Sequence, residues 1–259
     1  MTAQTAANRV IWQVTGGDRF RFLHGLVSND VLGLEKAPGI VWAALLTPQG
    51  KYLADFFILR PEGADHLLID IADVLAEATL RRLTMYRLRA DVKITPAAMT
   101  VTRGLGPAPA GALDDPRHPA LGWRVYGPAG AVLAEETAPI DWDAIRVAHC
   151  IPESGIELRP DETYLLEAGF ERLHGVDFRK GCYVGQEVTA RMKHKTDLRK
   201  GLVTLAIDGA APPGTPILRE GREVGTLFTQ SGNRAIAHVR LDRLGPEMTA
   251  GTARLHADA

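Results

Sequence analysis

Cysteine is scarce in this chain, with two among 259 residues and no CxxC spacing between them. Two such residues build neither a disulfide framework nor a cluster held by the chain alone. Unpaired cysteines are the usage of a reducing compartment, so a cytoplasmic chain is expected. Long apolar runs are also missing. The longest, Ile40 to Leu46, is far short of the ~18 residues that suggest a membrane span. The first residues, MTAQTAANRVIWQV, show no basic stretch followed by an apolar one, so no signal peptide is expected. The eight histidines form no HxxxH or HxH pair, which excludes the usual zinc spacings. No GxSxG, P-loop or strand-following GxGxxG occurs, so the common hydrolase, nucleotide and dinucleotide signatures are absent.

What is present is the composition of an ordinary globular protein, 46% hydrophobic and 24% charged. Roughly 100–200 residues make a domain, so the length suits one large domain or two to three small ones. A chain of this length buries roughly 70–75% of its unfolded surface and needs no staple. The net charge of −1 hides an uneven distribution. Arg179 to Lys200 holds seven Lys/Arg against two Asp/Glu, and Ala134 to Glu167 holds nine Asp/Glu against Arg146 and Arg159. Arg81, Arg82, Arg87, Arg89 and Lys93 form a second basic cluster. Such clusters are either solvated faces or sites for an anionic partner, such as a carboxylate tail, a phosphate or RNA.

Periodicity predicts a helix over 18–30, with Phe20, Leu23 and Val27 on one side. Strands are expected over 40–46 and 51–59 around the turn Thr47-Pro48-Gln49-Gly50, and over 66–71. A helix over 73–89 capped by Asp73 follows, with apolar Val74, Leu75, Ala78 and Leu83 on one side, then strands over 90–95 and 99–103. Residues 104–119, rich in Gly, Pro and Ala, read as a linker. Short strands are expected over 123–126 and 131–135, and a helix over 141–151. Residues 165–174 fit either helix or loop. From Leu198 onward, short strands over 198–207, 215–218, 222–229, 235–241 and 252–255 alternate with Gly/Pro turns, the pattern of a small β-barrel. The order of elements is that of an α+β fold, antiparallel sheet covered by helix.

The densest chemical signal is Lys180-Gly181-Cys182-Tyr183-Val184-Gly185-Gln186-Glu187. Two glycines flank a cysteine and permit unusual backbone angles and close approach. Helix formers follow Gly185, so Cys182 is expected near a helix start, beside Arg179 and Lys180, where a thiolate is favoured. The alternative is a small buried packing residue. Cys150, in the apolar stretch Val147-Ala148-His149-Cys150-Ile151, reads as packing.

This octapeptide, with Gly175-Val176-Asp177-Phe178-Arg179 before it, resembles the K-G-C-Y-x-G-Q-E signature of the YgfZ family. Other stretches resemble it in order. Phe22-Leu23-His24-Gly25-Leu26-Val27-Ser28-Asn29-Asp30-Val31 is similar to F-L-x-G-Q-x-T-x-D-V, with Ser28 where the pattern has Thr. Leu46-Thr47-Pro48-Gln49-Gly50-Lys51 and Ala54-Asp55-Phe56 are similar to L-x-P-x-G-K and A-D-F, and Tyr86-Arg87-Leu88-Arg89 opens a match to Y-x-L-R-x-x-V.

The resemblance implies a fold like the glycine cleavage T protein: a three-domain ring of antiparallel sheets with covering helices and a C-terminal β-barrel. Residues 1–197 would form two interleaved domains and 198–259 the barrel. It implies a cytoplasmic, folate-binding accessory protein that supports assembly or repair of iron–sulfur clusters in client enzymes, tRNA-modifying radical enzymes among them. Cys182 would be a redox or nucleophilic thiol and tetrahydrofolate or a derivative the cofactor. Assembly factors or client enzymes would be the partners. No metal, nucleic acid or membrane contact, no classical enzyme activity and a monomer are expected. A flat pterin needs an acceptor at its amino edge, for which Asp55, Asp70 and Glu187 are the candidates. Its anionic tail needs a cation, for which Lys51, Arg89 and Arg191 are available. The alternative is a true aminomethyltransferase. Against it stands Ala54, where T proteins carry the first Asp of an Asp-Asp pair; Asp55 points to the other side of the strand.

Overall fold

A computed structural model of the chain describes residues 2–132, 134, 139–195 and 197–257. The chain opens with β1 (Thr2–Thr5), β2 (Arg9–Thr15) and the short helices α1 (Arg19–His24) and α2 (Gly33–Lys36). Strands β3 (Gly39–Leu46), β4 (Tyr52–Arg60) and β5 (Leu67–Ala72) lead into α3 (Asp73–Arg87). Then come β6 (Lys93–Pro96), β7 (Met99–Leu105), β8 (Leu113–Asp114), β9 (Trp123–Pro128), α4 (Trp142–His149) and α5 (Gln186–Lys195). The last six strands are β10 (Lys200–Asp208), β11 (Pro216–Arg219), β12 (Arg222–Ser231), β13 (Arg234–Arg240), β14 (Met248–Ala250) and β15 (Ala253–Ala257).

Three antiparallel systems result: a five-stranded sheet ordered β3-β4-β5-β2-β6, a four-stranded sheet β1-β7-β9-β8, and a closed barrel β10-β13-β12-β11-β14-β15. The five-stranded sheet is the core of the body. Every residue of β5 is buried, because both faces of this sheet are covered. On one face α3 lays down Leu75, Ala76, Thr79 and Leu83. Trp42, Tyr52, Phe56 and Phe57 fill the interior, and Trp42 stacks on Phe170 at 4.1 Å between centroids. The barrel has its own apolar interior, including Leu205, Ile217, Leu227, Val239 and Leu255. Buried Arg146 of α4 ties it to the body, donating to Glu157 (2.6 Å) and to Thr229 of β12 (3.0 Å).

Several expected elements differ for physical reasons. The first helix stops at His24 rather than reaching Asp30. Beyond Gly25 the chain is drawn onto β3, where Val27 bridges Leu45 and the Ser28 amide donates to the Ala44 carbonyl. The supposed linker over 104–119 carries β8 back onto β9 and delivers Asp115 and Arg117, both buried, to the interior. Strands β1, β2 and β14 lie outside the expected set. Residues 165–174 form successive turns that bury Leu165, Ala168, Phe170 and Leu173. The strand expected over 131–135 does not form at Ala131 and Val132; positions 133 and 135 lie outside the described residues. The N-cap of α3 is Ala72, with the Asp73 carboxylate accepting from the Val74 amide one position further in.

Candidate functional site

Three stretches distant in sequence meet around Cys182. The first is the β3–β4 turn. The Gly50 amide closes it onto the Thr47 carbonyl at 2.9 Å, and Gly50 takes a φ of +76°, which a residue with a side chain resists. The second is the segment 180–187 itself. Gly185, with φ +82°, lies so close to the turn that a Cβ there would fall 2.5 Å from the Thr47 carbonyl oxygen. A Cβ on Gly50 would in turn meet Val188 of α5 at 2.8 Å. The two glycines are therefore the contact surface between turn and loop. The third stretch is the end of α1. Lys180 extends its ammonium to the carbonyls of His24 (2.5 Å) and Val27 (2.9 Å), and the His24 ring bonds the Lys180 carbonyl at 2.8 Å. Burial pulls the Lys180 ammonium down to about 8, although Asp30, Asp177 and Cys182 act in the other direction.

The loop is also fixed from within. Asp177 accepts from the Arg179 amide at 2.7 Å, and the Gln186 side chain accepts from the Tyr183 amide at 3.3 Å. Tyr183 is buried beneath the Lys180 ammonium, 4.7 Å from its ring centroid. Between these anchors Gly181 (φ +95°) faces open space and Cys182 is exposed. The arrangement holds a thiol at the surface on a backbone clamped on both sides. Helix α5 starts at Gln186, four residues beyond Cys182. The thiol therefore lies outside the first turn of α5, further from the helix end than expected. Cys150, at the left-handed C-cap of α4 with φ +51°, is half-buried, and burial pushes its thiol up.

The residues considered for a folate do not come together. Asp55 is buried in β4 and accepts from Trp42 Nε1 (2.8 Å), Tyr52 Oη (2.6 Å) and Ser154 Oγ (2.6 Å). Burial and that carboxylate hold the Tyr52 phenol well above its usual range. Asp70 is wholly buried and accepts from Arg9 (2.5 Å), Arg124 (2.5 Å) and Tyr126 (2.8 Å). Burial alone would raise its carboxyl; Arg9 and Arg124 outweigh that and hold it far below the usual range. Both carboxylates are internal acceptors, unavailable to the two N–H groups of a pterin edge. Lys51 is committed to the Glu162 carbonyl at 2.8 Å and lies over the Tyr164 ring. Arg89 stands exposed beyond α3. Glu187 and Arg191 form an exposed pair on α5 at 2.8 Å, the one direct bond between any two of the six among the described residues. These residues do not fit a folate as a set. Ala54 is buried in β4 opposite Leu45, with no polar atom to offer a ligand. No cluster of three or more metal-ligating side chains occurs among the described residues.

Comparison with known proteins follows the same division. Residues 199–259 match the family model of the CAF17 C-terminal beta-barrel domain. The longer alignments are to proteins named iron–sulfur cluster assembly factor IBA57, mitochondrial, or its homologues. The chain is 33% identical to that of Mycosarcoma maydis over 234 residues, covering 80% of this chain and 58% of the relative. It is 27% identical to that of Mus musculus over 277 residues (92% and 77%) and 28% to that of Homo sapiens over 265 residues (88% and 74%). The chain thus spans little more than half the length of the Mycosarcoma maydis relative. Among solved structures, glycine cleavage system aminomethyltransferase T from Bartonella henselae superposes with a TM-score of 0.77 at 13% identity, covering 99% of this chain and 85% of that one. The fold is therefore that of the T protein, ending in a six-stranded barrel. Two expectations are corrected. The named relatives are IBA57 proteins, so the YgfZ resemblance holds at the level of this shared fold. Those relatives are also mitochondrial by name, which overturns the cytoplasmic expectation; unpaired cysteines indicate reducing conditions, and these are not unique to one compartment.

Proposed function

We propose that this chain is an iron–sulfur cluster assembly factor of the IBA57 kind, and that the segment 175–187, with Cys182 at its tip, is the part that meets the cluster. The carrying observation is the exposed thiol on a backbone clamped at Lys180 and at Gly185. The names of the relatives support the reading. The chemistry sets its form. A cluster is held by about four thiolates, and Cys182 supplies one. The cluster is therefore cargo shared with a second protein that provides the other ligands, and the chain acts as a docking and handing-over partner. Radical enzymes that modify tRNA belong to the proposal as clients.

The resemblance adds a reduced folate. Asp55 and Asp70 cannot be its acceptors while they hold three donors each. A calorimetric titration with tetrahydrofolate tests it separately, with Asp55→Asn expected to leave the isotherm unchanged.

The function itself is tested by add-back. Extract from cells lacking the gene receives purified chain, either unmodified or alkylated at Cys182, and iron–sulfur enzyme activity is measured. Unmodified chain is expected to restore activity and alkylated chain to fail; equal restoration would overturn the proposal.

A further inference from the structure

The Lys180 carbonyl has one hydrogen-bond donor among the described residues, Nε2 of His24 at 2.8 Å. A carbonyl oxygen only accepts, so the ring proton sits on Nε2. Nδ1 then accepts from the Val31 amide at 3.4 Å and lies 3.2 Å from the Asp30 carboxylate. That carboxylate is itself set by the Leu32 amide at 2.8 Å. His24 is the last residue of α1 and follows Leu23, which is wholly buried. Its side chain is 15% exposed. The ring is therefore mounted on a fixed element and engaged at both nitrogens.

The value of this bond lies in what else holds the loop. Upstream, the Asp177 amide donates to the Ser28 carbonyl at 3.0 Å, and the Arg179 amide to the Asp177 carboxylate at 2.7 Å. Downstream, the Tyr183 amide donates to Gln186. Between the Arg179 and Tyr183 amides, the His24 bond is the one hydrogen bond to the main chain among the described residues. The Lys180 ammonium also reaches the end of α1 and satisfies carbonyls there. A flexible four-carbon stem separates that ammonium from its own backbone, so it leaves the main chain at Lys180 free to turn. His24 removes that freedom.

We propose that His24 is the positioning residue of the Cys182 thiol. Its imidazole fixes the Lys180 carbonyl and so the aim of the residue two places on. What the aim serves rests on the function proposed above. An imidazole beside a cysteine also suits a second ligand to the same cluster. A ligand needs a bare ring nitrogen. Here Nε2 is spent on a carbonyl and Nδ1 on an amide beside a carboxylate, so the ring is committed to the loop.

The test compares whole-chain His24→Phe and His24→Gln with the original. The phenylalanine keeps a ring and removes both nitrogens; His24→Leu repeats the loss should the larger ring fail to fold. A glutamine amide nitrogen stands as many bonds from Cα as Nε2 and donates to a carbonyl, yet it is not a cluster ligand. In His24→Phe the backbone order parameters of Gly181 and Cys182 should fall from about 0.85 to below about 0.6. Iron–sulfur enzyme activity in cells lacking the gene should fall about tenfold, the scale of losing a group that orients a metal ligand. His24→Gln should keep both. Unchanged order parameters in His24→Phe, or the same loss of order in His24→Gln, would overturn the assignment. A rigid but inactive His24→Gln would overturn it in favour of His24 as a cluster ligand. Cys182→Ser is run beside them. Loss of order with full activity in His24→Phe, while Cys182→Ser is inactive, would also overturn it and leave the function standing. Full activity in Cys182→Ser would overturn the function instead, and the order parameters alone would then decide whether His24 holds the loop.

Discussion

The network around Asp70 and the loop around Cys182 draw on the same kinds of side chain and use them in opposite ways. At Asp70 the charges face one another. Arg9, Arg124 and Tyr126 converge on one buried carboxylate, and Arg117 with Arg124 on that of Asp115. Those donors are held by the two carboxylates. At Cys182 the charged group is spent on the backbone: Lys180 holds two carbonyls so that the residue two places on stands free. A cluster of ionisable residues is thus not by itself a sign of chemistry. What distinguishes the two regions is whether the hydrogen bonds close among the charges or hold something else in place.

The largest effect should come from the closed region. Asp70→Asn leaves Arg9 and Arg124 buried without their counter-charge and is expected to cost about 3–5 kcal/mol in urea unfolding. Acid should act in the same direction. The carboxyls of Asp70 and Asp115 lie below their ordinary range when folded, so between the two states the unfolded chain binds more protons. Stability is therefore held above about pH 4 and falls as the pH drops further, and the fall should be shallower in Asp70→Asn. A neutral result would place this network outside the core of the fold's stability.

Smaller effects belong to the loop and can sharpen the contrast within it. Gly185→Ala meets both a positive φ and the Thr47 carbonyl and should cost about 2 kcal/mol. Gly181→Ala has open space and only the positive φ to overcome, so about 1 kcal/mol is expected. Equal costs would mean that contact with the β3–β4 turn contributes nothing. Lys180→Met removes two bonds to carbonyls and should cost about 1 kcal/mol. It should also alter the rate of Cys182 alkylation, which a purely distant structural change would not. Cys150, half-buried with its thiol pushed up, should be alkylated more slowly than Cys182 at neutral pH.

Much of the fold was legible in the sequence because it rests on local signals. The Thr47–Gly50 turn, the α3 pattern and the Gly/Pro-punctuated strands of the barrel each announce themselves within a few residues. What was not legible depends on partners far along the chain. β1 is too short to show a period and exists because it pairs with β7, about a hundred positions away. The stretch 104–119 reads as linker by composition, yet Asp115 and Arg117 are core. At the site, the Lys180–Glu187 segment stood out, but Asp55 and Asp70 could not be recognised as internal acceptors. Their donors, Trp42, Ser154, Arg9 and Arg124, come together only in three dimensions. The pattern of α3 groups Val74 and Ala78 with Leu75 and Leu83 on one apolar side, yet Val74 and Ala78 are exposed, because the sheet receives Leu75, Ala76, Thr79 and Leu83 and nothing local shows which face of the helix the sheet will meet.

The central claim, that Cys182 is presented for function and not for packing, is met most directly by Cys182→Ser in two readouts taken together. One is the melting temperature of the purified chain, and the other is iron–sulfur enzyme activity in cells where the variant replaces the original gene. An exposed residue on a clamped loop should change stability by less than about 0.5 kcal/mol, so the predicted result is an unchanged melting temperature with activity lost. Full activity at unchanged stability would contradict the account.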